Sequence, residues 1–220
     1  YKMKDIAIYG AGGFGREVAC VLKRINKNSP TWNLIGFFDD VNPKGSHNEY
    51  GKVLGGIDEL NQWDKELNVL IAIATSAVRK DIYGKIKNEK ILFPNLLFAF
   101  SCADTENYSL GKGNIILDTF ISCNVRIGDF NVFNGGDVLG HDVLMGSYNT
   151  IMPGTRISGN VSIGDTNFFG VGSIILQKLK IGNGVRVGAG SVLMRNAKDD
   201  YLYIGNPLSL IHISEPTRPY

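Results

Sequence analysis

Gly140-His141-Asp142 is the clearest chemical pairing in this 220-residue sequence. A carboxylate beside an imidazole fixes its tautomer and strengthens it as a proton acceptor, which suits deprotonation of an attacking amine or hydroxyl. The other two histidines, His47 in a polar stretch and His212 near the C-terminal end, have no such neighbour. A second signal is Gly10-x-Gly12-x-x-Gly15, which follows the apolar run Asp5-Ile6-Ala7-Ile8-Tyr9 and opens a helical pattern. Glycines at that junction let backbone N–H groups cradle phosphates at a positive helix end. Asp39 and Asp40 end the next apolar run, 24 and 25 residues after Gly15, where a ribose or a base would be held. Alone, this loop reads as a nicotinamide-binding fingerprint or as a tight structural turn. Cys123 could be imagined as an acyl-enzyme nucleophile, but no base lies near it in sequence.

The elements that must position these residues follow two grammars. In the first half, apolar runs at 5–9, 34–38 and 69–74 alternate with helical spacing at Val18, Val21, Leu22, Ile25 and again near Val78, Ile82 and Ile86. Strand, helix, strand, then strand, helix predicts a small parallel sheet with crossover helices. From about Ser109 onward every sixth residue is apolar: Ile127, Phe133, Leu139, Met145, Ile151, Ile157, Ile163, Phe169, Ile175, Ile181, Val187 and Leu193. Six residues make one short strand plus a turn, and three such units close a triangular coil whose apolar residue points inward. His141 is third in its hexad, counted from Leu139, so it points away from the apolar column and is not core filling. The frame slips by one near Ile115-Ile116, which predicts an irregular first coil.

Composition narrows the function classes. With 23 Lys+Arg against 21 Asp+Glu the net charge is +2, with no basic cluster of the kind a nucleic-acid binder carries. No apolar run approaches the length of a membrane span. Three cysteines without metal-type spacing leave one unpaired, as expected of a reduced, cytoplasmic protein.

Taken together, the hexads and the segments Tyr9-Gly10-Ala11-Gly12-Gly13-Phe14-Gly15-Arg16-Glu17-Val18, Gly36-Phe37-Phe38-Asp39-Asp40 and Leu54-Gly55-Gly56-Ile57-Asp58-Glu59-Leu60 resemble the bacterial sugar O-/N-acyltransferases of the hexapeptide-repeat superfamily. That family includes sialic acid O-acetyltransferases and nucleotide-aminosugar N-acetyltransferases of surface-glycan pathways. The resemblance implies an α/β half-Rossmann-like domain over 1–105, which binds the acceptor sugar, and an all-β left-handed parallel β-helix over 106–207. Gly205-Asn206-Pro207 matches the Gly-x-Pro step that closes such helices, and 208–220 reads as a non-native tail set aside from the fold. The resemblance further implies acetyl-CoA as co-substrate, no metal, and a homotrimer with the active site between neighbouring β-helices.

By that resemblance His141 is the general base and Asp142 its tuner. Gly12, Gly13, Phe14, Asp39, Asp40 and Ala74 contact the acceptor, a sugar or nucleotide sugar. Gly159, Val171 and Ala189 contact the donor, and the amide of Gly159 stabilises the oxyanion. Phe14 and Thr150 depart from the family, which often has histidine at both places; Thr150 would stand near the donor. Arg79 matches a recurrent family arginine, or is a solvated charge in the first helical turn. Two other readings stay open: a nicotinamide-dependent oxidoreductase, and a non-catalytic β-helix that binds sugar.

Overall fold

The computed structural model describes residues 3–206 and the backbone of 208–212; residues 1, 2 and 207 lie outside the described residues, as does 213–220, the greater part of the run read as a tail. The chain divides into two compact units, Tyr1–Phe98 and Ala99–Tyr220. The division falls before the expected one at 105. Ser101–Cys102 already pairs in parallel with Phe120–Ile121, so the residues just after 98 are a rung of the second unit.

The first unit is built on β1 (Lys4–Tyr9), α1 (Gly13–Asn28), β2 (Trp32–Phe38), β3 (His47–Asn48), β4 (Gly51–Gly55), α2 (Ile57–Asn61), β5 (Leu67–Ile71), α3 (Ser76–Lys85) and β6 (Ile91–Leu92), with sheet order β3-β4-β2-β1-β5-β6. The three apolar runs are the central parallel strands β1, β2 and β5. They are apolar throughout because a parallel sheet is covered on both faces; Ile6, Ala7, Ile8, Val69, Leu70 and Ile71 are all buried. Val18, Val21 and Leu22 seat α1 on this sheet. The chain leaves β1 toward β2 on one side and later places β5 on the other. That arrangement makes the carboxyl ends of β1 and β5 a topological switch point, where open α/β sheets bind ligands. In α3, Val78 is exposed and Arg79 buried, the reverse of what periodicity predicts.

The second unit is a parallel β-helix with an 18-residue coil. Val132, Thr150, Phe168, Arg186 and Leu202 stack in register on one face, Val138, Arg156, Ile174 and Val192 on the next, and Arg126, Leu144, Ser162 and Lys180 on the third. The twelve apolar hexad positions are all buried in one continuous core. The frame slip is also real. Strands Ile115–Ile121 and Val132–Leu139 pair with a register shift between Leu117 and Thr119, where Asp118 faces the extra pair Gly135-Gly136. Each coil has three corners that bend through a left-handed residue: Asn124, Asp142, Asn160 and Lys178 at the first; Phe130, Tyr148, Thr166 and Gly184 at the second; Gly136, Gly154, Gly172 and Gly190 at the third.

Polar ladders hold the corners. Asn131 Oδ1 accepts the backbone N–H and side-chain amide of Asn149, while Asn131 repeats that pattern on Asn114. Thr119, Asp137, Thr155, Ser173 and Ser191 form a second buried polar column. Leu208–His212 runs antiparallel to Tyr201–Gly205, so this part of the run set aside from the fold extends a sheet edge. No helix among the described residues is long and apolar enough to cross a membrane.

Candidate active site

Two sets of predicted site residues lie in the two units. In the first unit the glycine loop shows two kinds of glycine. Gly10 has φ of +111°, and a side chain there would strike Ile73 and Ala72; one at Gly15 would overlap the Gly10 carbonyl. These two close α1 onto β1. Gly12 and Gly13 have nothing within 4 Å of an added Cβ. Packing does not require glycine at either position, so their bare backbone leaves an open approach at the N-terminus of α1. Phe14 is half-buried beside them and Ala74 is exposed beyond the end of β5.

Asp39 and Asp40 are engaged by the protein itself. Asp39 Oδ2 accepts the Ala11 N–H at 2.7 Å, and Oδ1 accepts those of Val41 and Asn42 at 2.9 and 2.8 Å. Partial burial would raise its pKa, but these backbone donors outweigh burial and hold the carboxyl below the usual range. Asp40 Oδ2 accepts the Tyr9 hydroxyl at 2.6 Å and Oδ1 the Ile57 N–H at the start of α2 at 2.9 Å. Burial first, then Asp40, pushes the Tyr9 phenol up. Both carboxylates thus shape the loops around the glycine turn, a role that their sequence position did not reveal. Arg79 is 1% exposed and donates to the carbonyls of Ile73 and Ala74. It is not a solvated charge; it anchors the loop that carries Ala74.

In the second unit His141 and Asp142 occupy the first corner, their side chains 54% and 43% exposed. His141 Nδ1 lies 2.7 Å from Asp142 Oδ2. That bond, and next the Asn124 amide, hold the Asp142 carboxyl below its usual range. An ionised carboxylate only accepts, so Nδ1 carries a proton, and in the neutral ring Nε2 presents its lone pair. The ring rests on Gly159, where an added Cβ would lie 2.5 Å from Nε2. Gly140 in turn sits against the Gly159 amide, 2.5 Å from an added Cβ. Gly140, His141 and Gly159 are therefore brought together, one coil apart. Beside them a cavity of about 560 Å³ is lined by residues that include Asn124, Arg126, Asp142 and Asn160.

The remaining predicted donor residues are elsewhere. Val171 and Ala189 are exposed at the third corner, where Gly190 N–H donates to the Val171 carbonyl. One hexad of near-extended chain, up to roughly 20 Å, separates this corner from the first. Thr150 is 0% exposed, on the strand between Val132 and Phe168, so its side chain does not face solvent. Asn134 was not singled out from the sequence, yet its Oδ1 is buried without a donor.

Residues 5–86 match the family model described as the PglD N-terminal domain. That match falls within the first unit. Among solved structures, the acetyltransferase domain of PglB from Neisseria gonorrhoeae in complex with acetyl coenzyme A is 24% identical, with 96% of this chain and 100% of that chain covered and a TM-score of 0.84. WeeI from Acinetobacter baumannii is 27% identical, with 96% and 100% covered and a TM-score of 0.81. PerB from Caulobacter crescentus in complex with CoA and GDP-perosamine is 24% identical, with 96% and 98% covered and a TM-score of 0.81. No curated protein matches the chain. The chain thus shares the fold of these structures over nearly its whole length, an α/β unit followed by a parallel β-helix.

Proposed function

We propose that this protein is an acetyl-CoA-dependent acetyltransferase that acylates an amine or hydroxyl of a nucleotide-linked sugar, in the cytoplasm and for surface-glycan synthesis. The observation that carries the reading is the outward His141–Asp142 pair at 2.7 Å with Nε2 over Gly159. Nε2 takes the acceptor proton as nitrogen or oxygen attacks the thioester carbonyl. The C–S bond breaks as the tetrahedral intermediate collapses, and the thiolate of CoA leaves. The Gly159 amide is the proposed oxyanion donor, because a preorganised N–H beside the base meets the developing charge. The acceptor lies at the switch point of the α/β unit, against Gly12, Gly13, Phe14 and Ala74, with Asp39 and Asp40 holding the loops in place. Bound nucleotide sugar in the PerB structure and acetyl coenzyme A in the PglB structure support these ligand classes.

The separation of the two corners supports a homotrimer. Val171 and Ala189 of one chain cannot adjoin His141 of the same chain, but a neighbouring copy can bring its third corner to this first corner. Phe120, Ile174, Leu176 and Met194 are exposed apolar residues on and beside one face of the prism, and a second copy covering that face would bury them. The test incubates the protein with acetyl-CoA and a panel of nucleotide amino sugars and sialic acid, and follows free thiol. Release that depends on one acceptor and is lost in His141→Ala supports the reading. Thiol release with no acceptor in the panel, or full turnover by His141→Ala, overturns it.

A further inference from the structure

We propose that Asn124 is a positioning residue for the His141 base and acts through Asp142. The proposal rests on the acyl-transfer reading of that pair. Asp142 uses both carboxylate oxygens: Oδ2 meets His141 Nδ1 at 2.7 Å, and Oδ1 accepts the Asn124 side-chain amide at 3.1 Å. Among the described residues these are its side-chain partners. The arrangement follows from the stacking of coils. Asn124, Asp142 and Asn160 hold the same left-handed corner position on successive rungs, with φ of 56°, 58° and 58°. Their side chains leave the backbone in the same direction, one rung of about 4.8 Å apart. The Asp142 N–H donates to Cys123 O at 3.0 Å and the Asn160 N–H to His141 O at 2.8 Å, which locks this corner between its neighbours.

The chemistry turns on which nitrogen of His141 holds the proton. Asp142 is well exposed and borders the 560 Å³ cavity, so water competes for its oxygens and its carboxyl can rotate. The Asn124 amide occupies Oδ1 and leaves Oδ2 aimed at Nδ1. The ring is then held with its proton on Nδ1, and Nε2 stays free to accept. The competing explanation is that asparagine stands there only because it tolerates a positive φ. Glycine tolerates it equally well and carries no amide, so Asn124→Gly separates the two.

The experiment has two readouts. The first is ¹⁵N NMR of the His141 ring at about pH 8, above the ordinary histidine range, which needs no substrate. The wild type is expected mainly as the Nδ1–H tautomer, and Asn124→Gly as a mixture rich in Nε2–H. The second is kinetic: kcat should fall about 3- to 10-fold, the scale of one exposed charge-assisted hydrogen bond, with acceptor KM unchanged. In an Asp142→Asn background the same substitution should change kcat less than about twofold, because no carboxylate remains to be held. A folded Asn124→Gly protein with an unchanged tautomer and unchanged kcat overturns the proposal. His141→Ala reports separately on the base itself. If that variant keeps full turnover, the acyl-transfer reading fails, while the tautomer measurement still decides whether Asn124 orders the pair.

Discussion

The imidazole of His141 lies across the α-carbon of Gly159, so that a methyl group there would come within 2.5 Å of Nε2. The two residues sit on successive rungs of the first corner, and the absence of a side chain on one gives the other its place. Gly159 has a negative φ and is not needed for a turn. Glycine is required here by the neighbour, not by the backbone.

Gly159→Ala should therefore push the ring off Asp142 without unfolding the coil. A displacement near 1 Å in a catalytic group costs about 10²-fold. The expected outcome is a fall in kcat of that order with Tm almost unchanged, checked by steady-state kinetics alongside thermal melting. A Tm that falls steeply would show that the site is structural.

His141→Ala should lose roughly 10²–10⁴-fold in kcat, the range for general base catalysis. Asp142→Asn should lose less, because Nε2 remains and only its orientation suffers. Binding of acetyl-CoA, measured by calorimetry, should be nearly the same in both variants.

Asp137 predicts a pH dependence of stability. Burial raises its carboxyl to about 7, although backbone donors from Thr155 and Gly135 and the charge of Arg156 pull it down. Between about 4 and 7 the folded state keeps a proton that the unfolded state has released. Stability therefore falls as pH rises through that window and levels off above it. Three units correspond to roughly 4 kcal/mol at most. The same column carries Thr119, Thr155, Ser173 and Ser191 on its other rungs. Asp137→Thr should remove this contribution to the slope between about pH 4 and 7. Urea unfolding at several pH values checks this; an unchanged slope in the variant would refute it.

Asp40 supports both Tyr9 and the start of α2. Asp40→Ala leaves the buried Tyr9 hydroxyl without this acceptor, at about 1–3 kcal/mol. For a chain of this length Tm should fall by roughly 2–10 °C. If acceptor KM rises with no loss of Tm, Asp40 contacts the ligand directly.

The asparagine ladder should be unequal along its length. Asn149 Nδ2 donates to Asn131 Oδ1 and to the Gly164 carbonyl, whereas Asn167 Nδ2 is buried without an acceptor. Asn149→Ala should therefore destabilise by about 1–3 kcal/mol more than Asn167→Ala. Equal denaturation midpoints for the two variants would contradict the ladder.

The sequence by itself determined the β-helix, its buried column and the outward direction of His141, because a period of six repeats within neighbouring residues and each hexad carries its own inward position. It also determined the strand–glycine–helix junction, where Gly10, Gly12 and Gly15 are local in the chain. His141 and Asp142 were legible for the same reason: they are adjacent. What only the tertiary structure decided involves partners about one coil apart or across the sheet. Asn124 reaches Asp142 across 18 residues, Gly159 underlies His141, and Val171 and Ala189 fall at another corner. The sequence marks Asp39 and Asp40 as strand-end acids beside the glycine loop, but not that the Ala11 N–H, the Tyr9 hydroxyl and the Ile57 N–H meet them, because those donors come from other elements. Arg79 was ambiguous for the same physical reason. A helical charge is solvated or buried according to which carbonyls meet it, and those of Ile73 and Ala74 are placed by the end of β5.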